Sequence, residues 1–234
     1  MRKREATGDG TRVGERRARP ELCAKVTAVA LHVLSHPLVD DTFAGLRDRR
    51  TPCDEFRRLA YRVALLLVAE ATRDLPTQTS VVETPLEATT VRRLAARVVA
   101  VPVLRAGVGM LEAFLDLVPQ ASVGYFGLER NETTAVARRY YEKVPANLHD
   151  AVVFLLDPML ATGGSAVQAV DGLRERGARR VRFLSVIAAP EGVALLQAAA
   201  PDAEIYTAAL DRGLNERKYI LPGLGDFGDR LFGT

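Results

Sequence analysis

Phe56, Leu59, Ala60, Val63, Leu66 and Leu67 recur at three- and four-residue spacing, the period of an amphipathic helix. They predict a helix over residues 54–75, with Pro52 just upstream of its start. The apolar run at residues 26–33 fits strand or helix, and its valines favour a strand. Residues 80–86 alternate, with Pro85 near the end, which suits an edge strand or hairpin arm. From residue 97 the pattern becomes short β-rich runs, most of them followed by a helical stretch. Strands are predicted at 97–104, 121–128, 138–144, 151–156, 181–189 and 203–209, and helices at 107–118, 164–176 and 192–199. The polar residues 129–137 read as a mobile loop, and 211–234 as a Gly-rich irregular segment too long for an idle connection. Strands that are apolar continuously, not alternately, are buried on both faces. The fold class is therefore α/β, a mostly parallel sheet flanked by helices.

Composition narrows the class without changing it. The chain has 234 residues, 48% hydrophobic and 26% charged, which is ordinary globular usage and excludes collagenous, coiled-coil and wholly disordered chains. The longest apolar run, residues 63–69, is too short to cross a bilayer. Residues 2–4 are charged, yet no apolar stretch with a small-residue cleavage site follows, so a cytoplasmic location is expected. Cys23 and Cys53 have neither metal nor disulfide spacing and read as reduced, structural thiols. Charge is uneven: residues 1–19 hold seven Lys or Arg against three acids, and the rest of the chain sums to −1. Residues 1–19 thus read as a disordered basic tail on a domain spanning 20–234. A body without net positive charge argues against nucleic-acid binding, which depends on neutralising phosphates.

The strongest chemical signal is the run Asp157, Pro158, Met159, Leu160, Ala161, Thr162, Gly163, Gly164, Ser165, placed between a buried-strand pattern and a helix pattern. Open α/β sheets bind ligands at such junctions. A helix N-terminus offers unpaired N–H groups, the two glycines allow close approach, and Thr162 and Ser165 add hydroxyls, which together make a phosphate cradle. Asp157, at the strand's carboxyl end, can accept hydrogen bonds from ribose hydroxyls. The plain alternative is a Thr- or Ser-capped helix after a tight turn. No Gly-Lys pair exists, so a Walker A loop is absent, and Gly223, Gly225 and Gly228 match G-x-G-x-x-G too near the end for a Rossmann unit. His32, His36 and His149 are scattered and read as structural or surface residues.

These residues resemble a known family. Residues 157–165 are similar to the phosphoribosyl pyrophosphate motif of phosphoribosyltransferases, in the variant with Pro after the Asp. Taken with residues 101–107 (VPVLRAG) and 219–230 (YILPGLGDFGDR), the chain resembles uracil phosphoribosyltransferase. Residues 36–38 (HPL), 72–75 (TRDL) and 188–192 (AAPEG) match as well, so the likeness runs over about 36–234. It implies a type I phosphoribosyltransferase-like fold with a C-terminal uracil-binding loop region. It also implies transfer of phosphoribose to N1 of uracil, giving UMP and pyrophosphate, with Mg²⁺ as cofactor.

Carried over by position, Arg105, Asp157 and Asp226 become the catalytic residues. Arg105, Arg130, residues 157–165 and Asp226 contact the donor, and residues 104–107 form the pyrophosphate loop. Ile220, Gly225, Asp226 and Phe227 contact uracil, largely through backbone groups. No metal ligand on the protein is assigned. The resemblance further implies a homo-oligomer, dimer or tetramer, and GTP as an effector. The chain departs from the family pattern at Glu129, Asn131 and Ala137, which makes the donor-side loop more acidic. A competing function is a non-catalytic, nucleotide-sensing regulator that binds RNA on the same fold. The altered loop and basic tail favour it; the intact donor and uracil motifs and the slightly acidic body favour the enzyme.

Overall fold

The computed structural model describes residues 31–130 and 137–234. The basic tail, Cys23, Asn131, the first five residues of the 26–33 strand and loop residues 131–136 lie outside them. In chain order the elements are β1 (Leu31–Val33), α1 (Pro37–Arg47), α2 (Cys53–Ala71), β2 (Thr77–Glu83), β3 (Ala88–Leu94), β4 (Arg97–Leu104) and α3 (Val108–Leu117). Then come β5 (Ser122–Val123), β6 (Tyr125–Arg130), β7 (Ala137–Lys143), β8 (Ala151–Leu156), β9 (Met159–Leu160) and α4 (Gly164–Glu175). The chain closes with β10 (Arg180–Ala188), α5 (Pro190–Ala199), β11 (Glu204–Leu210), β12 (Gly213–Leu214), β13 (Ile220–Leu221) and α6 (Phe227–Phe232).

The main sheet runs β1-β11-β10-β8-β4-β6-β7. Every pairing along it is parallel except β6 with β7. All six residues of β8 are buried, as a continuous apolar run requires. Its side chains alternate between two cores. Val152, Phe154 and Leu156 pack with Val98 and Ala100 against α2 and α3. Val153 and Leu155 pack with Val99, Val101 and Phe183 against α4 and α5. The chain therefore leaves β4 onto one face and β8 onto the other. The gap between these two adjacent strands is the topological switch point, where an open parallel sheet binds ligands beyond the strands' carboxyl ends.

Several elements differ from the sequence expectation. Helix α1 had no predicted counterpart, because its start signal is unusual: the N-cap is His36, whose Nδ1 accepts from the Leu38 N–H at 3.1 Å, with Pro37 following. Residues 80–86 do supply a hairpin arm, as expected, but the strand starts at Thr77 and ends at Glu83, and β2 and β3 pair with no other strand among the described residues. The predicted loop at 129–137 is shorter, since β6 extends to Arg130 and β7 begins at Ala137, in register with it. Segment 211–234 is not irregular throughout. It holds the β12–β13 pair and α6, whose N-cap Asp226 accepts from the Asp229 N–H at 3.0 Å and whose C-cap Gly233 is left-handed (φ 76°).

The TRDL residues explain one long-range tie. Asp74, just beyond α2, takes both ends of the buried Arg182 guanidinium at 2.6 and 2.7 Å, while Arg182 also pairs with Glu204 at 2.6 Å. Arg182 is thus held at the strands' amino ends, opposite the switch point.

Candidate active site

Asp157 follows β8 directly, its N–H bonded to the Leu184 carbonyl at 3.1 Å, so the sheet fixes its backbone. Among the described residues its carboxylate accepts only the Met159 N–H, at 3.3 Å. Burial pushes its pKa up from 3.8 to about 7, and that single hydrogen bond lowers it too little to compensate. In the β8–β10 register Ser185 stands level with Asp157, and its buried hydroxyl has no partner among the described residues.

Met159 and Leu160 then pair with β10 as β9, a strand the sequence had hidden inside the cradle motif. The chain turns at Gly163 (φ 85°), where a side chain would meet the Gly192 carbonyl at 2.8 Å. A Cβ on Gly192 would in turn meet the Ala161 carbonyl at 2.5 Å, so two glycines let the loop lie on the start of α5. Helix α4 opens with no side-chain cap, which sets aside the Thr- or Ser-capped alternative. A Cβ at Gly164 would find nothing within 4 Å. Uncapped N–H groups at the positive end of a helix, facing open space, suit an oxyanion.

Across the switch point, the loop after β4 approaches because Gly107 has no side chain: a Cβ there would overlap the Leu156 carbonyl and sit 2.6 Å from that of Val103. The Leu104–Arg105 peptide is cis. Arg105 is exposed and forms no ion pair among the described residues. Arg130 ends β6, which runs parallel to β4, so its backbone lies toward the same edge of the site.

The C-terminal segment covers this edge. A Cβ on Gly228 would lie 3.3 Å from the Asp226 carboxylate and 3.7 Å from Ala106, which places Asp226 beside the Arg105 loop. Ile220 and Phe227 are buried, and Phe227 packs edge-on against Phe56 with ring centroids 5.2 Å apart. Their side chains belong to the core, which leaves only their backbone groups for a ligand. Gly225 is exposed at φ 81°. Arg230 binds this segment to the rest of the chain: its guanidinium lies 4.3 Å over the Phe56 ring and donates to the carbonyls of Leu46, Leu224 (2.8 Å) and Asp48 (2.6 Å). Sequence reasoning gave Arg230 no role and passed over Arg47 and Asp211, which meet at this segment. No local signal marks Arg47 and Asp211, which are 164 residues apart.

The state of Asp157 gives a pH prediction. The native chain holds its proton between pH 3.8 and about 7 and the unfolded chain does not, so the stability it contributes is lost as pH rises through about 7. Hydroxyl donors on the carboxylate favour its charged form, so a ribose bound there drives the proton off. Calorimetry of donor binding at pH 7, in two buffers of different ionisation enthalpy, should show about half a proton released through this group. The release should vanish in Asp157→Asn.

A parallel sheet with a carboxylate and an uncapped, glycine-rich helix start at its switch point, beside a C-terminal segment, is the arrangement of an α/β protein that binds a phosphorylated ligand. The comparisons with known proteins are more specific. The family model of uracil phosphoribosyltransferase matches residues 33–234, and the chain belongs to that family. The uracil phosphoribosyltransferase of Streptococcus agalactiae serotype III (strain NEM316) is 50% identical over 203 residues, covering 86% of this chain and 97% of the relative. That of Shouchella clausii is 48% identical over 205 residues, covering 87% and 98%. Among solved structures, the AQ2163 protein of Aquifex aeolicus superposes with a TM-score of 0.83 at 36% identity, covering 87% of this chain and 98% of that one.

Proposed function

We propose that this chain transfers the 5-phosphoribosyl group of phosphoribosyl pyrophosphate to N1 of uracil, giving UMP and pyrophosphate in pyrimidine salvage. The observation that carries the reading is the uncapped start of α4 at Gly164, where a Cβ would find nothing within 4 Å, at the end of the turn that begins with Asp157 after β8. In this reading the α4 N–H groups, Thr162 and Ser165 hold the 5′-phosphate, and Asp157 accepts the ribose hydroxyls. The bond from C1′ to the pyrophosphate oxygen breaks and the C1′–N1 bond forms. The N1 proton, made more acidic as that bond forms, leaves without a dedicated base. Positive charge develops on the sugar, as at other glycosidic centres, and negative charge on the leaving group. In this reading Arg105 and Arg130 take the leaving group, as the family resemblance implies, and a guanidinium fork matches phosphate oxygens.

Among the described residues no three His, Cys, Asp or Glu side chains group as a metal site. Mg²⁺ commonly binds through substrate phosphates plus one or two carboxylates, and Asp226, an exposed carboxylate beside the Arg105 loop that also caps α6, fits that mode. When bound, the ion supplies charge neutralisation on pyrophosphate. Uracil-dependent release of pyrophosphate that requires Mg²⁺ tests the reading. Tight RNA binding at physiological salt without that turnover would favour the regulator.

We infer a homo-oligomer as well. An isolated two-stranded hairpin is marginal in water, yet β2–β3 projects with Val81 70% and Leu86 95% exposed. A homo-oligomer that covers these residues accounts for the hairpin. Light scattering should find the native chain as a dimer or tetramer, and Val81→Asp with Leu86→Asp should shift it to monomer; a monomeric native chain would refute this. Among the described residues no helix is long and apolar enough to cross a membrane, which is compatible with the cytoplasmic reading. Activation by GTP is part of the same reading, and turnover measured with and without GTP tests it.

A further inference from the structure

We propose that the Arg47–Asp211 pair is a positioning device that sets the backbone of the base-binding loop, and so governs the affinity and selectivity for the base. Asp211 follows β11, and its N–H is bonded to the Ala188 carbonyl at 2.9 Å, so it is fixed to the sheet. Arg47 ends α1, its guanidinium 5.1 Å over the Phe43 ring. The two meet in a two-pronged bond of 2.7 and 2.9 Å. Between them they hold the Gly223 peptide groups: the Gly223 N–H donates to Asp211 Oδ2 at 2.7 Å, and its carbonyl accepts from Arg47 Nη1 at 2.8 Å. Gly223 is at φ 67°, with no room for a Cβ beside the Ile220 carbonyl. It lies between Ile220 and Gly225, in the middle of the segment proposed to read uracil. Both its backbone groups are thus fixed from outside the loop, by a helix on one side and the sheet on the other.

Stability alone does not account for this arrangement. The Asp211 side chain is only 5% exposed. Burial works against its ionisation, and Arg47 with the Gly223 N–H outweighs it, holding the carboxyl below its ordinary range. Desolvating such a pair costs about what its attraction returns, so a buried ion pair is weak evidence for stability. A planar fork meeting a carboxylate does fix direction. A loop that recognises a ligand by backbone groups has no side-chain rotamer to adjust, so its register must be imposed from outside.

The inference rests on the uracil reading of residues 220–227, and its test separates the two. Arg47→Lys keeps the charge but cannot span both carboxylate oxygens and the Gly223 carbonyl. Asp211→Asn keeps the shape and loses the charge. For each variant, KM for uracil, KM for the donor, kcat and the uracil-over-cytosine preference are measured on protein checked by thermal melting. KM for uracil should rise roughly tenfold or more while KM for the donor stays within about twofold, and the base preference should fall. The double variant should cost no more than the worse single, because either change already breaks the device. A lower melting temperature with uracil kinetics and selectivity unchanged would overturn the proposal and leave a structural tie. If Arg47→Lys does not fold, the near-isosteric Asp211→Asn decides the matter. A native chain that makes no UMP overturns the uracil reading itself, whereas an active native chain with indifferent variants overturns only the positioning role.

Discussion

Asp157→Asn should lower kcat/KM for the donor about a hundredfold or more while leaving the fold intact. An amide cannot replace an anionic acceptor for two ribose hydroxyls. Hydrogen bonds to charged groups are worth about 1.5–3 kcal/mol each, and 1.4 kcal/mol is tenfold. The fold should tolerate the change, because among the described residues the native carboxylate receives only the Met159 N–H, and burial opposes its ionisation. Above pH 7 the Asn variant should therefore melt at the native temperature or higher. Sites that hold a desolvated charge for a ligand commonly trade stability for function in this way. Steady-state kinetics beside a thermal melt at pH 8 check both halves. Unchanged kinetics in a folded variant would remove Asp157 from the site.

Cytosine should be rejected relative to uracil by roughly a hundredfold or more in kcat/KM. Uracil presents an N3–H donor between two carbonyl acceptors, whereas cytosine has an acceptor at N3 and an amino donor at C4. In the proposed reading the segment 220–227 meets the base through backbone groups, and the burial of the Ile220 and Phe227 side chains leaves only backbone at those two positions. Backbone N–H and C=O groups cannot exchange roles, so a loop matched to uracil meets cytosine donor to donor and acceptor to acceptor. Two buried groups left unpaired cost about 1–3 kcal/mol each. 5-Fluorouracil keeps the reading edge and should be used if the pocket has room at C5. Similar specificity constants for cytosine and uracil in a competition assay would refute the loop assignment.

The sheet and the glycine turn at its carboxyl edge were legible because their physics is local. A strand buried on both faces must be apolar throughout, as β8 is, and a ligand loop at its end must carry Gly163 and Gly164, because any larger residue obstructs the turn or the open space. Helices α1 and α6 were hidden because their signals are few: a histidine N-cap for α1, and for α6 six residues inside a glycine-rich stretch. The hairpin β2–β3 was half-seen, since none of its strand residues is buried and alternation marks only one arm. The devices around the C-terminal loop were out of reach for another reason. Arg47, Asp211 and Arg230 act through partners far away in sequence, and each alone reads as an ordinary surface charge. Arg230 and Asp226 were visible only as letters of a resemblance, without the contacts that place them.

The proposed activity is tested most directly by incubating the purified chain with uracil, phosphoribosyl pyrophosphate and Mg²⁺, with the nucleotide identified by mass and by its N1 linkage. Formation of UMP with equimolar pyrophosphate, dependent on all three components, is the predicted result. Donor binding without UMP, or a nucleotide made from another base in preference to uracil, would contradict it.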